Sequence, residues 1–305
     1  HVAQVSAVSS WVSHRTSVHA VAMETTLLAH GVPRDEGAAL AESLASVVRS
    51  QGAEPAVVGV VDGEAIVGMT DAELSRMLAS PDVSKANLSN LGLLRHRRAM
   101  GATTVSGTMA LCAEAGVRVF ATGGIGGVHP GYGEQWDASA DLMALAKYPV
   151  AVVTSGCKTV LDVVATREAL ETLGVPVVGV GTDHFPAFYL RESAASVDAR
   201  FDDFDDLAEY IRLELAQGNH GVVVANPIDE QDAIDERAWV QWLDEARARV
   251  AQEGIVGRGV TPALLGALHA ISDGATLRAN LALVRSNALV AARLAVALKR
   301  LDARL

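Results

Sequence analysis

The chain has 305 residues, of which 50% are hydrophobic and only 4% are aromatic, and its formal net charge is −11 at pH 7. A core of small aliphatic side chains is typical of helices packed on a mostly parallel sheet. The excess of acidic residues excludes a protein that coats nucleic acid, because such a protein requires excess positive charge. The two cysteines cannot form a disulfide framework, so we expect a reducing, cytoplasmic setting. No run of about 18 apolar residues lacks charge, so we expect no membrane association.

Helical and strand patterns alternate along the chain. The first helix is predicted over Asp35–Gln51, and a turn at Asp62–Gly63 then joins Ala56–Val61 to Ala65–Val67 in a hairpin. A capping box at Thr70 opens the next helix. Beyond it, the apolar periods predict the helix Ser106–Ala115, the strand Val117–Ala121, the helix Ala138–Lys147, the strand Val150–Thr154, the helix Thr159–Leu173, the strand Val175–Val180, the helix Asp205–Gln217, the strand Val222–Ala225 and the helix Ala233–Gln252. This alternation predicts an α/β fold with a parallel sheet covered on both faces.

The last segment is a long amphipathic helix, predicted over Ala275–Leu301. Its apolar residues recur at steps of three and four, at Leu277, Leu281, Val284, Ala288, Ala291, Ala295 and Leu298. We interpret this face as packing on the helix's own subunit, and a contact between subunits is the alternative. Because no Pro/Gly/Ser-rich linker divides the chain, we predict a single catalytic domain over residues 1–305, with a flexible segment at 1–18.

Lys158 is the residue that points most directly to covalent chemistry. It follows the predicted strand Val150–Thr154 and precedes the helix expected from Thr159. Ligands of α/β sheets bind at the carboxyl ends of strands, and the positive end of a helix dipole favours a neutral amine. Such an amine can form a Schiff base with a sugar aldehyde. The alternative is a surface lysine at a helix start.

Two further positions suit acid catalysis and phosphate binding. Glu24 follows an apolar run and can act as an acid if its neighbours raise its pKa; otherwise it is an ordinary loop glutamate. Thr104 precedes the helix Ser106–Ala115, whose free amides can hold a phosphate with charge supplied by Lys85. A threonine at a helix start is also a frequent cap, which is the alternative for Thr104.

Asp137 and Asp141 lie four residues apart at the start of a predicted helix, after a glycine-rich stretch and His129. This spacing puts both carboxylates on one face of the helix. Carboxylate oxygens suit a hard ion such as Mg²⁺ or Mn²⁺. Acidic capping of the helix N-terminus is the alternative.

Eight segments match a known family in order and spacing, over about Val21 to Leu298. They are Ala22–Thr26, Gly101–Val105, Val119–His129, Trp136–Leu142, Gly156–Lys158, Gly174–Pro176, Val224–Ile228 and Thr261–Pro262. Together they resemble the pseudouridine-5′-phosphate glycosidase family, also called the indigoidine-synthase-A-like family. The resemblance implies a three-layer α/β/α fold with a mostly parallel central sheet, and a homotrimer.

The resemblance also implies roles for individual residues. Lys158 is expected to be the Schiff-base nucleophile, Glu24 the proton donor and Asp137 the ligand of a divalent ion, usually Mn²⁺. Substrate contacts are expected at Lys85, Thr104, Val105, His129, Ser139, Ala140, Asp141 and Asn280. The implied partners are ribose 5-phosphate and an aromatic acceptor, joined or separated at a C–C bond to sugar C1. That bond has no heteroatom to protonate on the leaving side, so the two-carboxylate route of ordinary glycosidases is a poor fit.

The chain departs from the family pattern at two places. After Lys85 it has Ala86–Leu91 where the family has an arginine pair, and Pro130–Trp136 adds aromatic surface after His129. These changes slightly favour a C-glycosynthase that attaches ribose 5-phosphate to a larger acceptor, such as an aromatic polyketide. The alternatives are a true pseudouridine-5′-phosphate glycosidase, another Schiff-base aldolase or isomerase of sugar phosphates, and a non-catalytic sugar-phosphate sensor.

Overall fold

The computed structural model describes residues 11–33, 35–255 and 260–304, which form one sheet flanked by helices. The strands of this part are Val12–His14 (β1), Val21–Glu24 (β2), Pro55–Val61 (β3), Glu64–Val67 (β4), Val83–Ala86 (β5), Met100–Thr103 (β6), Val119–Ala121 (β7), Ala151–Thr154 (β8), Val177–Val180 (β9), Ala199–Phe201 (β10) and Val222–Ala225 (β11). The helices are Thr26–His30 (α1), Gly37–Ser50 (α2), Asp71–Ala79 (α3), Leu91–Arg97 (α4), Val105–Ala115 (α5), Tyr132–Gln135 (α6), Ala140–Leu145 (α7), Val163–Thr172 (α8), Phe204–Leu215 (α9), Glu236–Gln252 (α10), Val260–Ile271 (α11) and Ala275–Asp302 (α12), with a 3-10 turn at Glu230–Asp232.

The order of the strands places a binding crevice at β2. Across the sheet the order is β1-β4-β3-β2-β7-β8-β11-β9-β10, with β6 beside β3 and β5 beside β6. Within the described chain, only the β3–β4 and β3–β6 pairs are antiparallel. From β2 the chain passes to β3 on one side and later returns to the other side of β2 at β7. Ligands of open α/β sheets bind where the strand order reverses in this way, at the carboxyl ends of the strands.

Helices cover the sheet in two layers. Helix α12 packs against α2, α9 and the strands β2, β7 and β8, whereas α5 packs against α7 and the strands β1 to β4. Every residue of β8 and β11 is buried, which explains why both strands consist of apolar residues apart from Thr154 at the end of β8. The predicted three-layer α/β/α fold with a mostly parallel sheet is confirmed.

Several local predictions are also confirmed. Strands β3 and β4 form the expected antiparallel hairpin, and both Asp62 and Gly63 in its turn have positive φ, 53° and 81°. Thr70 and Glu73 form the capping box: the Thr70 amide donates to Glu73 Oε2 at 2.8 Å, and the Glu73 amide donates to Thr70 Oγ1 at 3.3 Å. Helix α12 ends at Asp302, one residue after the predicted end.

Several helices begin later than predicted, and the difference matters most beside Lys158. The helix expected from Thr159 begins at Val163, because Asp162 is its N-cap and accepts a 2.9 Å hydrogen bond from the Ala165 amide. Residues 155–162 are therefore a loop between β8 and α8. This shift changes the setting of Lys158.

The beginning and the end of the described chain both contact the sheet. Residues 1–10 of the segment expected to be flexible lie outside the described residues, while residues 12–14 pair with β4 as an edge strand. Within the described chain, α12 alone is long and apolar enough to cross a membrane by length and composition. Most of it is buried against the sheet and neighbouring helices, as expected for a core helix.

Candidate active site

Glu24 is the last residue of β2 and lies where the strand order reverses. Its carboxylate accepts a 2.5 Å hydrogen bond from the hydroxyl of Thr122, which follows the neighbouring strand β7. Desolvation by the surrounding protein raises the pKa of Glu24, an effect that Lys158 and the Thr122 hydrogen bond oppose. Asp141 raises this pKa further, and Lys85 lowers it. The net upward direction favours the protonated carboxyl that a general acid requires.

Lys158 lies half-buried in the loop that follows β8. Its backbone amide donates to the carbonyl of Ile125 at 3.2 Å, which joins this loop to the glycine-rich segment after β7. The predicted position beyond a strand end is confirmed. The predicted helix-dipole effect is wrong, because α8 begins only at Val163. Instead, Lys158 interacts electrostatically with Glu24 and Lys85.

Lys85 reaches the same site from β5, at the other side of β2. Its side chain is exposed, yet partial burial of the ammonium lowers its pKa, Lys158 lowers the pKa further, and Glu24 raises it. Two amines and one carboxyl from three distant parts of the sequence therefore form one electrostatically coupled group. The ammonium forms of Lys85 and Lys158 can bind an anionic ligand such as a phosphate.

The buried carboxylate of Asp141 holds two backbone segments together. Its Oδ1 accepts a 2.9 Å hydrogen bond from the Ser106 amide, and its Oδ2 accepts one of 2.8 Å from the Gly126 amide. The predicted pairing with Asp137 on one helix face is wrong, because α7 begins at Ala140 and both Asp141 oxygens already accept hydrogen bonds. Asp141 is therefore part of the frame of the site.

Asp137 lies before α7, with 62% of its side chain exposed and its Oδ2 3.9 Å from Nδ1 of His129. In the part of the chain that the structure describes, no three His, Cys, Asp or Glu side chains are grouped to hold a metal ion. One exposed carboxylate beside an imidazole fits a hydrated hard ion whose remaining ligands are water and substrate oxygens. Asp137 and His129 are thus compatible with a loosely held divalent ion.

The start of α5 offers one backbone amide to a ligand. The Ser106 amide donates to Asp141, and the Gly107 amide donates to Thr104 Oγ1 at 3.5 Å. Thr104 is the N-cap of α5, in agreement with the alternative interpretation of this residue. The amide of Val105, the first residue of α5, has no acceptor among the described residues. This amide remains for an anion at the helix N-terminus.

Close packing explains the glycines around the site. A Cβ at Gly126 would lie 2.3 Å from Ser139 Oγ and 2.8 Å from Asp141 Oδ2. Gly156, two residues before the candidate nucleophile, has a φ of 78°, and a Cβ there would lie 1.7 Å from the carbonyl oxygen of Pro186. Only glycine fits these two positions.

Helix α12 brings two asparagines to the strand ends. Asn280, expected from the resemblance, has its Oδ1 3.3 Å from the place that a Cβ on Gly123 would occupy. Asn287 is fully buried and donates a 2.8 Å hydrogen bond to the carbonyl of Thr122. Sequence reasoning misses both Asn287 and Thr122. The available signal for Asn287 is a polar residue in phase with the apolar face formed by Leu283, Val284 and Ala288.

Comparison with known proteins identifies relatives over most of the chain. The family model described as indigoidine synthase A like protein matches residues 7–297. A pseudouridine-5′-phosphate glycosidase of Symbiobacterium thermophilum is 45% identical over 284 residues, which cover 92% of this chain and 92% of the relative. A pseudouridine-5′-phosphate glycosidase of Streptomyces griseus is 47% identical over 288 residues, which cover 92% of this chain and 88% of the relative.

Two solved structures share the fold. The prealnumycin C-glycosynthase AlnA, in complex with ribulose 5-phosphate, superimposes with a TM-score of 0.89 at 35% identity over 96% of this chain and 99% of that one. An indigoidine synthase A-like protein of Thermotoga maritima gives a TM-score of 0.85 at 34% identity over 95% of this chain and 97% of that one. The chain therefore belongs to the indigoidine-synthase-A-like family and is an enzyme. Its relatives include pseudouridine-5′-phosphate glycosidases and a C-glycosynthase.

Proposed function

We propose that this enzyme hydrolyses pseudouridine 5′-phosphate to uracil and ribose 5-phosphate through a Schiff base on Lys158. The observation that carries the proposal is the placement of Glu24 at the carboxyl end of β2 and of Lys158 just beyond the carboxyl end of β8, two strands that flank β7. Relatives named as the glycosidase are 45% and 47% identical, whereas the C-glycosynthase is 35% identical. This difference supports the glycosidase over the C-glycosynthase that the sequence alone slightly favours.

The chemistry needs an acid and an amine at the same time. The Glu24 carboxylic acid protonates the ribose ring oxygen as the ring opens, and the unprotonated Nζ of Lys158 forms a bond to C1. A proton passed from the Lys158 ammonium to the Glu24 carboxylate provides both reactive forms with no change in total charge. Burial, which raises the pKa of Glu24, supports this exchange, whereas the attraction between the two charged forms opposes it.

Cleavage of the C–C bond follows from the bound amine. The electrons of the bond between C1 and the base pass to uracil, which takes up a proton on the released carbon, while C1 and Nζ form an imine. Water then adds to C1 of the imine, which releases ribose 5-phosphate and restores the amine of Lys158. Each step is reversible, so the same groups also serve bond formation.

Other residues of the site bind and orient the substrate. Lys85 supplies positive charge and Val105 a backbone donor for the 5′-phosphate. Asn280 supplies an amide beside the glycine-rich segment. Asp137, with His129 beside it, would hold Mn²⁺, which when bound supplies positive charge towards phosphate oxygens.

A C-glycosynthase with a larger aromatic acceptor is the second candidate. Trp136 is 81% exposed, and its ring centroid lies 6.3 Å from that of Tyr132. Trp136 immediately precedes Asp137 in the chain, and stacking on exposed rings suits an extended aromatic acceptor. The superposition on the prealnumycin C-glycosynthase also supports this candidate.

We also propose a homotrimer in the cytoplasm. Exposed apolar side chains outside the core, among them Met143 and Val164, support an assembly of copies. Cys112 and Cys157 are free and buried, which is typical of a reducing compartment. Light scattering of the purified protein tests the assembly, and a trimer mass is expected.

Product analysis separates the two candidate reactions. The purified protein is incubated with Mn²⁺ and pseudouridine 5′-phosphate, and uracil is measured by chromatography. We expect rapid release of uracil, its loss in Lys158→Ala, and its retention in Lys147→Ala, which removes an exposed lysine instead. No release of uracil, together with consumption of ribose 5-phosphate in the presence of an aromatic polyketide, would support the C-glycosynthase.

Borohydride trapping tests the Schiff base itself. With ribose 5-phosphate, reduction is expected to add one pentose phosphate to the peptide that contains Lys158, and the Lys158→Ala variant gives no adduct. Turnover of a sugar phosphate without an aromatic partner would indicate an aldolase or isomerase. Binding with neither adduct nor turnover would indicate a sensor, and both outcomes contradict the proposal.

A further inference from the structure

Asn287 is a fully buried amide in the middle of α12, where that helix crosses the carboxyl ends of the central strands. Its neighbours on this face of the helix are apolar: Leu283, Val284, Ala288 and Ala291. Burying an amide among such residues costs free energy unless its polar atoms are hydrogen-bonded. The partners of Asn287 therefore define what the residue does.

The Asn287 amide joins the ends of three strands. Its Nδ2 donates to the carbonyl of Thr122 after β7 at 2.8 Å and to the hydroxyl of Ser155 after β8 at 3.1 Å, with the Gly123 carbonyl also within 3.3 Å. Its Oδ1 accepts a 2.9 Å hydrogen bond from Nδ2 of Asn226, the residue after β11. Both N–H hydrogens and the oxygen are thus used within the protein.

Two of these partners lead directly to the reacting groups. Asn287 holds the backbone of Thr122, and the hydroxyl of Thr122 donates to the Glu24 carboxylate at 2.5 Å. Ser155, the second partner, begins the loop that carries Lys158. A single side chain is therefore bonded to the two segments that place the acid and the amine.

We propose that Asn287 is a positioning residue for the reaction: it fixes the Thr122 backbone so that the Thr122 hydroxyl stays on the Glu24 carboxylate. It acts through Thr122 and does not touch the substrate. The catalytic consequence rests on the function proposed above, whereas the effect on Glu24 is a property of the folded protein alone.

The effect on Glu24 has a definite sign. The other charged groups that act on this carboxyl are Lys158 from the loop after β8, Asp141 from α7 and Lys85 from β5. The Thr122 hydrogen bond favours the ionised carboxylate and so lowers the pKa of Glu24. If Asn287 holds Thr122 in place, removing its amide loosens that hydrogen bond, and the pKa of Glu24 rises.

Carboxyl ¹³C NMR of glutamate-labelled protein measures the pKa of Glu24 without any substrate. The Glu24 signal is assigned by its loss in Glu24→Gln, and its titration midpoint is compared in wild type, Asn287→Ala, Thr122→Val and the double variant. We expect both single variants to raise the midpoint, the double variant to add little, and Thr122→Ser to restore the wild-type value. If Asn287→Ala fails to fold, Asn287→Leu removes the hydrogen bonds while keeping the volume.

Thr276→Val is the matched control, because Thr276 is also buried in α12 but hydrogen-bonds Ser272 at 3.1 Å, away from the strand ends. It is expected to leave the Glu24 midpoint at the wild-type value. A wild-type midpoint in Asn287→Ala or Asn287→Leu would overturn the proposal. So would a wild-type midpoint in Thr122→Val, since the hydrogen bond would then not act on Glu24.

Turnover of pseudouridine 5′-phosphate provides the catalytic readout. In Asn287→Ala we expect kcat to fall by roughly 10- to 100-fold with little change in KM, since misplacement of catalytic groups has this effect. The alkaline limb of the kcat profile is expected to move to higher pH, as in Thr122→Val. A uniform loss of kcat with an unmoved limb indicates structural support alone and contradicts the proposal. If the wild type releases no uracil, the proposed function fails, and the NMR titration still decides on Asn287.

Discussion

The carboxylate of Asp141 accepts a 2.8 Å hydrogen bond from the backbone amide of Gly126, 15 residues earlier in the chain. Its other oxygen binds the amide of Ser106. One buried side chain thus fixes the glycine-rich segment to the start of α5. Removing it leaves two amides without their acceptor, which is costly in a buried site.

We therefore expect Asp141→Ala to lower the free energy of unfolding by about 2–4 kcal/mol. Asp141→Asn, which keeps one acceptor oxygen, should cost less. Urea denaturation measures both, with Asp71→Ala in the exposed first turn of α3 as the control, at about 0.5 kcal/mol. Equal losses for Asp141→Ala and Asp71→Ala would show that the two hydrogen bonds contribute little.

Glu24 should make the stability of the wild type depend on pH. Because burial raises its pKa in the folded state, the folded protein binds more protons than the unfolded chain between the two pKa values. The contribution of Glu24 is fully present below the unfolded pKa and is lost as pH rises through the folded one. Denaturation of wild type and Glu24→Gln across this range should show the variant becoming relatively more stable as pH rises. If Glu24→Gln instead became less stable relative to the wild type as pH rises, the sign would be contradicted.

Asp137 should control the affinity for a divalent ion. Because the described residues offer only one carboxylate and an imidazole there, we expect weak binding of Mn²⁺ alone and tighter binding with ribose 5-phosphate present. Electron paramagnetic resonance of free Mn²⁺ measures the affinity of the protein for the ion without turnover. Asp137→Ala should weaken binding by at least about 10-fold. Glu134→Ala, which removes an exposed acid of α6 three residues earlier, should not. The reverse order would place the ion elsewhere.

Arg15 and Glu73 form a two-bond ion pair that fastens the N-terminal edge strand to α3. The nitrogens of Arg15 lie 2.8 and 2.9 Å from the carboxylate oxygens, and Arg15 is the main cause that lowers the pKa of Glu73 to about 2. The ion pair stabilises the folded protein at pH values above about 4.3, the pKa of a glutamate in the unfolded chain. This stabilisation is lost as the pH falls towards 2.

At pH 6, Arg15→Ala should therefore lower the free energy of unfolding by up to about 1 kcal/mol, because Arg15 is partly exposed to solvent. The cost should vanish near the pH where Glu73 is protonated. Arg49→Ala breaks an exposed pair with Glu42 and should cost less at pH 6. A cost for Arg15→Ala that persists in acid would mean that packing of its side chain, and not its charge, carries the effect.

The sequence predicts the layers and the strand ends well, because both follow from local patterns. Short runs of β-branched apolar residues such as Val222–Ala225 predict buried strands, and Thr70 with Glu73 carries the hydrogen bonds of a helix start within four residues. Glu24 and Lys158 lie beyond such runs, so their convergence follows from the parallel order of the strands.

What the sequence does not predict depends on contacts between distant segments. The cap at Asp162 moves the helix start past Lys158, and the two amides bound by Asp141 come from residues 15 and 35 positions away. No periodicity encodes such pairings. Asn287 is the intermediate case: its polarity on an apolar helix face signals a buried hydrogen bond, but the partners come from three separate strands.

Helix α12 has a consequence for how the enzyme is made. The strands β7, β8 and β11 leave the ribosome before residues 275–302, yet their ends are joined by hydrogen bonds to Asn287 of this helix. During synthesis these strand ends are therefore not joined until α12 docks on the sheet, and we expect the site to be completed in one step at that point.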